Sequence, residues 1–268
     1  MKAHNSGMRP VTLCFSGLDP SGGAGLQADI EAIAALSGHA AVVCTALTVQ
    51  DSQRVYGFEP VAARLIRQQA EAVLADLPVA AIKLGMLGSA AIADVIALLL
   101  VQHPDIPVVL DPVLAANSGG NLAGDDLVRG LFPLFPLATL ITPNSVEARR
   151  LAGVENLDAA VAALFARGAQ NVLLKGGHEP GDVILNQLFS AQGLLRESRL
   201  PRLPGEFHGS GCTLAAAIAA GLAAGLALPT AVQQAEAFVA SALRQADRPR
   251  SAGQFLPLRI SPLWKYKQ

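Results

Sequence analysis

The chain has 268 residues, 51% of them hydrophobic, a formal net charge of −1 and a sequence pI near 6.5. That length suits one large α/β domain with a core big enough to need no disulfide staples, and the near-neutral charge leaves no electrostatic footprint for nucleic acid or an anionic membrane. Three widely spaced cysteines (Cys14, Cys44 and Cys212) form no Cys-x-x-Cys pair and no metal-ligand spacing; their odd number argues against a secreted disulfide framework and for a reducing cytoplasm.

In chain order, residues 1–10 read as a polar N-terminal tail without the apolar stretch of a signal peptide. Short β-branched runs then alternate with longer Ala/Leu-rich stretches. Val11 to Ser16, Ala40 to Leu47, Ala80 to Leu84, Pro107 to Asp111, Thr139 to Thr142 and Asn171 to Lys175 predict buried strands. The stretches Gly25 to Leu36, Val61 to Leu74, Ser89 to Val101, Asp125 to Phe132, Ser145 to Leu151 and Leu157 to Arg167 predict helices. The alternation implies right-handed crossovers and a mostly parallel sheet with helices on both faces. After Lys175 the rhythm changes. Asp182 to Ser190 and Leu194 to Leu200, joined by Ala191-Gln192-Gly193, predict an antiparallel hairpin, and two helices from Ser210 and from Thr230 close a single domain over 1–268. No Asp, Glu, Lys or Arg falls between Phe207 and Ala235, but the stretch is mostly Ala and Gly and ends at Pro229, so it predicts a buried helix rather than a membrane span.

In an open parallel sheet, ligands bind beyond the carboxyl ends of the strands. Glycine-rich or polar loops stand at all six such ends: Gly17 to Gly25, Val49-Gln50-Asp51, Gly85-Met86-Leu87, Asp111-Pro112-Val113, Pro143 to Glu147, and Gly176-Gly177-His178. The first has four glycines in nine residues, which allows close backbone approach to a ligand, and opens a helix carrying Gln27 and Asp29. It is neither a Walker A loop nor a Gly-x-Gly-x-x-Gly fingerprint. Asp111 ends an apolar strand where a carboxylate could hold a divalent ion; Asn144 and Glu147 start a helix three residues apart and can point at one site. Glu147 reads equally as an ordinary first-turn helix acid. Lys175 ends a buried strand and needs an anion or a carboxylate partner. His178 and His208 read as substrate contacts or as solvated loop residues, Cys14 and Cys44 as core.

The segment His208-Gly209-Ser210-Gly211-Cys212-Thr213 runs into an Ala-rich helix. Ser210 or Thr213 can cap that helix, its free N–H groups would make an anion site, and its field would favour the Cys212 thiolate. A capped core helix with a buried cysteine is the plainer reading.

Together these motifs resemble the ribokinase-like superfamily, and within it the hydroxymethylpyrimidine/phosphomethylpyrimidine kinases of thiamine biosynthesis. The resemblance runs from Val11 to about Asp247. It rests on Gly17 to Asp29, Lys83-Leu84-Gly85-Met86-Leu87, Leu110-Asp111-Pro112-Val113, Thr142-Pro143-Asn144, Lys175-Gly176-Gly177-His178 and His208 to Thr213. It implies a three-layer fold with a late antiparallel hairpin. It further implies phosphorylation of 4-amino-5-hydroxymethyl-2-methylpyrimidine and of its monophosphate by ATP with Mg²⁺, a monovalent cation as a further candidate cofactor, and a homodimer. By the resemblance the pyrimidine lies among Gly17, Ala24, Asp29, Gln50, Met86, Val113 and Cys212. The ATP and metal side takes Asp111, Asn144, Glu147, Lys175 and Thr213, with Asp111 and Glu147 toward the metal. The catalytic set is Cys212, Lys175 and the Gly209-Ser210-Gly211 backbone. Cys212 stands where the superfamily usually has aspartate, Asp51 where the family often has Asn, and Asn117 where Lys or Thr often precedes Ser118-Gly119. Pyridoxal kinase is the rival within the class. A Rossmann oxidoreductase is disfavoured by the missing fingerprint, and a non-catalytic pyrimidine sensor by the phosphate apparatus.

Overall fold

A computed structural model describes residues 7–114, 125–251 and 253–260. Asn117 and its neighbours Ser118-Gly119 lie outside the described residues. The strands are β1 (Val11–Leu18), β2 (His39–Gln50), β3 (Val55–Pro60), β4 (Val79–Leu84), β5 (Val108–Leu110), β6 (Leu140–Ile141), β7 (Asn171–Lys175), β8 (Val183–Ser190) and β9 (Gly193–Pro201). They join one sheet in the order β3-β2-β1-β4-β5-β6-β7-β8-β9, parallel from β2 to β7. The helices are α1 (Gly25–Ala35), α2 (Ala63–Asp76), α3 (Ala90–Gln102), α4 (Asp125–Leu131), α5 (Ser145–Ala152), α6 (Leu157–Ala166), α7 (Ser210–Ala223) and α8 (Leu228–Arg244), with a 3₁₀ stretch at Phe132–Leu137.

The pleat of β1 explains the layers. Leu13 and Phe15 point into a core shared with α2 to α6, and Cys14 into one shared with α1 and α7. Strands covered on both faces read as unbroken apolar runs, as β1 does. On the second face α7 is made of small residues, so it lies close against the sheet, α1 and α8; nine of its 14 residues are buried. It is a core helix, and no described helix is long and apolar enough to cross a membrane.

The antiparallel part of the sheet is not only late. β2 runs to Gln50, past the predicted Leu47, and its overhanging end pairs with β3, which the sequence reading missed. Gly57 and the terminal Pro60 make β3 look like a loop. The turn between them is built by Asp51, whose carboxylate accepts from Gln53 N (2.7 Å), Arg54 N (3.0 Å) and Tyr56 Oη (2.9 Å). Asp51 thus serves its own turn. The strand order changes direction at β1, because β2 lies on one side and β4 on the other. That switch point opens a crevice at the carboxyl ends of the strands.

Candidate active site

The crevice holds a cavity of about 100 Å³. The ends of four strands line it: Ser16 and Gly17 of β1, Thr48 and Gln50 of β2, Met86 after β4, and Asp111 and Val113 after β5. Ala24, Gly25, Gly209, Gly211 and Cys212 complete the wall, with Asn144, Glu147 and Lys175 at one side. Of the residues expected at the pyrimidine, all but Asp29 face this cavity. Hydrogen bonds orient them: Gln50 Nε2 donates to Thr48 Oγ1 (2.8 Å), Thr48 Oγ1 to Leu18 O (2.7 Å), and Thr45 Oγ1 to Met86 O (2.5 Å).

Asp29 is a correction. It is fully buried beneath the cavity, with its two carboxylate oxygens 2.9 and 3.0 Å from Lys83 Nζ. An ammonium taken out of water costs several kcal/mol unless paired, so a lysine inside an apolar strand required a partner on the helix above it. Burial would strip the Lys83 proton, but Asp29, together with the smaller effects of Cys212, Asp111 and Cys14, outweighs it and holds the amine charged. A Cβ at Gly85 would overlap Lys83 Nζ and Ser16 Oγ, which explains the glycine after Lys83-Leu84.

The first glycine-rich loop is organised by Asp19. Its carboxylate accepts from Ser21 N (2.9 Å), Ser21 Oγ (2.8 Å) and Ala24 N (2.8 Å), and lies 2.8 Å from His208 Nε2. Burial works against the ionised form, yet the bonds from His208 and Ser21 prevail and hold the carboxyl below its ordinary range. His208 is therefore buried and partnered rather than solvated. Sequence inspection missed Asp19 as a hub; an aspartate two residues before a serine in a glycine-rich loop was the available signal.

At the opposite wall Asp111 Oδ1 accepts from Thr142 Oγ1 (2.8 Å) and Lys175 Nζ (2.8 Å). Burial raises the Asp111 pKa, but Lys175 and Lys83 more than offset it, so the group stays ionised. Lys175 has the carboxylate partner its buried position demanded, and Asp111 and Glu147 raise its pKa against the effect of burial. Glu147 is the first-turn helix acid that one reading expected, and it also reaches the cavity. With Asn144 it forms a capping box on α5: Glu147 N donates to Asn144 Oδ1 (2.8 Å) and Asn144 N to Glu147 Oε2 (2.8 Å). It also lines the cavity, and burial, against Lys175 and with Asp111, pushes its pKa up to about 7.

Neither Ser210 nor Thr213 caps α7. The N-cap is Gly209 in the left-handed region (φ 73°), where no side chain caps the helix, and the first intrahelical bond is Thr213 N to Gly209 O. A Cβ at Gly209 would overlap the Gly23 carbonyl oxygen, so only glycine fits. The first amides of α7 thus face the cavities without a competing side-chain acceptor. Thr213 is a second correction: it is fully buried, and its hydroxyl donates to Gly209 O (2.8 Å) instead of reaching a nucleotide. Cys212 is a third. Burial raises its pKa, Lys83 and the Gly25 amide fail to reverse the shift, and Asp111 and Asp29 add to it, so the thiol stays neutral. Desolvation is the largest of these effects.

Beyond Lys175 a second cavity of about 420 Å³ shares Asn144, Lys175 and Gly211 with the first. Ser210 opens here, on the far side of the turn from Cys212, and so does His178. Apolar residues of the hairpin and α8, among them Ile184, Leu200, Val239 and Leu243, form its depth. Arg202 clamps one wall by donating to the carbonyls of Gly177 (2.7 Å), Glu179 (2.6 Å) and Gly181 (2.7 Å).

A family model described as phosphomethylpyrimidine kinase matches residues 19–256. The chain is 39% identical over 244 residues to the thiamine biosynthesis bifunctional protein ThiED of Geobacter sulfurreducens, covering 89% of this chain and 50% of that protein, so it spans about half of that relative's length. It is 40% identical over 252 residues to the hydroxymethylpyrimidine/phosphomethylpyrimidine kinase of Rhizobium meliloti, covering 90% of this chain and 93% of the relative. Among solved structures, the pyridoxal kinase from Staphylococcus aureus in complex with AMP-PCP and pyridoxal superposes with a TM-score of 0.84 at 29% identity, covering 95% of this chain and 94% of the other.

Proposed function

The chain belongs to the phosphomethylpyrimidine kinase family, and from that premise we propose that it moves the γ-phosphoryl group of ATP onto the hydroxymethyl group of 4-amino-5-hydroxymethyl-2-methylpyrimidine, and a second one onto the resulting monophosphate. One observation carries this reading. A ring-sized cavity and a larger, partly apolar one meet at the Asp111–Lys175 pair and the first amides of α7. A pyrimidine in the small cavity and a nucleotide in the large one would bring their reacting ends to that junction.

Phosphoryl transfer has a loose transition state, so positioning and charge stabilisation supply most of the catalysis. In this reading Lys175 and the amides of Gly209 to Cys212 would be the donors for a phosphoryl group in flight. Gln50 would read a ring edge, and Met86 and Val113, which line the same cavity, would flank the ring. Asp111 and Glu147 are two buried oxygen-donor carboxylates, and the raised pKa of Glu147 marks a site that added positive charge would relieve. Mg²⁺ keeps several waters and binds through one or two carboxylates, which this pair could supply, plus phosphates. Bound there, Mg²⁺ would neutralise charge on the transferring group.

A neutral thiol at position 212 fits two successive transfers. The monophosphate already carries an anionic oxygen and needs no base, and a carboxylate at 212 would repel it. Cys212→Asp should therefore weaken the second step relative to the first; a second step undiminished relative to the first would defeat this electrostatic argument.

Pyridoxal is the rival substrate, because the Staphylococcus aureus neighbour was solved with it in the same fold. ATP consumption measured side by side with the hydroxymethylpyrimidine, its monophosphate and pyridoxal tests the assignment. Turnover of both pyrimidines is expected; turnover of pyridoxal alone would reverse it.

A further inference from the structure

The described C-terminal segment runs from the rim of the large cavity, where Gln254 and Glu206 lie, to the loops that wall the small one. Gln254 N donates to Ser52 O (2.8 Å), Phe255 N to Glu206 O (2.7 Å), and Leu258 N to Ala242 O (3.1 Å), while Phe255 O accepts from His208 N (2.9 Å). At its end stands Arg259, whose side chain is 1% exposed. An arginine buried to that degree must have its donors satisfied. Nε donates to Thr213 Oγ1 (2.8 Å), Nη1 to Gly22 O (3.4 Å) and Glu31 Oε2 (3.0 Å), and Nη2 to Gly23 O.

Three of those four partners belong to the loop after β1 and the first turn of α7, the two segments that wall the small cavity. Gly22 and Gly23 lie in the loop after β1, directly before Ala24 and Gly25 of the cavity wall. Thr213 follows Cys212, and because arginine can only donate, the Thr213 hydroxyl accepts from Arg259 and passes its own proton to Gly209 O. The chain of contacts closes on itself, since the Gly23 carbonyl bonded by Arg259 is also the atom against which Gly209 packs. We infer that Arg259 is a positioning residue that locks the glycine-rich loop after β1 to the turn opening α7, so that the substrate wall and the phosphate-facing amides hold a fixed separation. It lies beyond the span matched by the family model. The Asp19–His208 pair joins the same two loops from the cavity side.

Only the kinetic consequence rests on the kinase reading. An error of about 1 Å between reacting groups can cost on the order of 100-fold in rate. In full-length Arg259→Gln, amide hydrogen exchange should speed up in residues 19–25 and 208–214 and stay unchanged in 176–186, which Arg202 clamps independently. The kcat/KM for the pyrimidine should fall by about 10- to 100-fold while the KM for ATP holds within about twofold. Arg259→Lys, which keeps the charge and loses the fork, should behave like Arg259→Gln. Glu31→Gln, which touches only the outer ion pair, should match the wild type. Thr213→Val should loosen 208–214 alone, and it reads the same link if the Arg259 variants do not fold.

Unchanged exchange in both segments would overturn the inference, as would a uniform rise across the chain or a Glu31→Gln variant as impaired as Arg259→Gln. Wild-type exchange at 208–214 in Thr213→Val would also overturn it. The exchange arm needs no substrate. A wild-type enzyme that fails to turn over the pyrimidine would sink the kinase reading and leave this inference standing.

Discussion

The two cavities differ in how they are held. The small one is walled by strand ends and set over buried charge: Asp29–Lys83 beneath it, Asp19–His208 across its loops, and Asp111–Lys175 at its side. The large one is walled by the hairpin β8–β9, α8 and the loop 176–181; in its wall the buried Glu236 carboxylate of α8 accepts from Asn186 Nδ2 of β8 (2.9 Å) and Ser198 Oγ of β9 (2.6 Å), while the loop itself is held by one arginine bonded to three carbonyls. Buried ion pairs have little freedom to relax, because an unpaired partner would be left in a low dielectric. An arginine clamping loop carbonyls can let go at small cost. The small cavity is therefore held by buried charge on several sides and built to place one ring accurately, whereas the large one has one wall, the loop 176–181, that can yield to admit and release a bulkier ligand.

The junction is where the comparison should break most visibly. Lys175→Met removes the cation that both cavities share and leaves the Asp111 carboxylate buried with Thr142. Turnover should fall by about 100- to 1000-fold, and denaturant titration should show a loss of a few kcal/mol, typical of one partner removed from a buried pair. Next in size is a pH effect. Glu147, raised by burial to about 7, carries a proton below that pH and must lose it before accepting a cation. The apparent affinity for Mg²⁺ should drop about tenfold per pH unit below 7, read from Mg²⁺ titrations of turnover at pH 6 and 8. The sign for stability follows from the same shift. A carboxyl whose folded pKa exceeds its unfolded one favours the fold at low pH, and that contribution is lost as pH rises through 7. Added Mg²⁺ should then raise the melting temperature at pH 8 and leave it unchanged at pH 5.

Two smaller effects separate the cavities. Gln50→Ala removes one polar contact from the small cavity and should raise the pyrimidine KM by about five- to tenfold, with the ATP KM unchanged. Arg202→Ala releases loop 176–181 and should raise the ATP KM by about threefold, with the pyrimidine KM unchanged. Equal shifts in both constants for either variant would contradict the division.

The same division explains what was legible in the sequence. The small cavity is made where strands end, and there glycines, Asp111, Asn144 and Lys175 punctuate apolar runs, so its residues can be read in one dimension. The depth of the large cavity is made by Ile184, Leu200, Val239 and Leu243, apolar side chains on regular elements that carry no local mark of a ligand. Asp29 misled because a carboxylate near a glycine loop looks like a ligand contact, and only the sheet reveals Lys83 beneath it. Thr213 misled because its role depends on burial, which turns the hydroxyl inward, and burial likewise sets the charge of the Cys212 thiol. β3 was hidden by Gly57 and Pro60, and Arg259 by its distance along the chain from Gly22 and Gly23.

The most direct test of the junction is a phosphorus NMR time course with ATP and the hydroxymethylpyrimidine. One small cavity facing one nucleotide cavity across Lys175 predicts that the monophosphate forms first and then converts to the diphosphate, with one ATP consumed at each step. Release of inorganic phosphate in place of both products, or a monophosphate that accumulates without a second transfer, would contradict it.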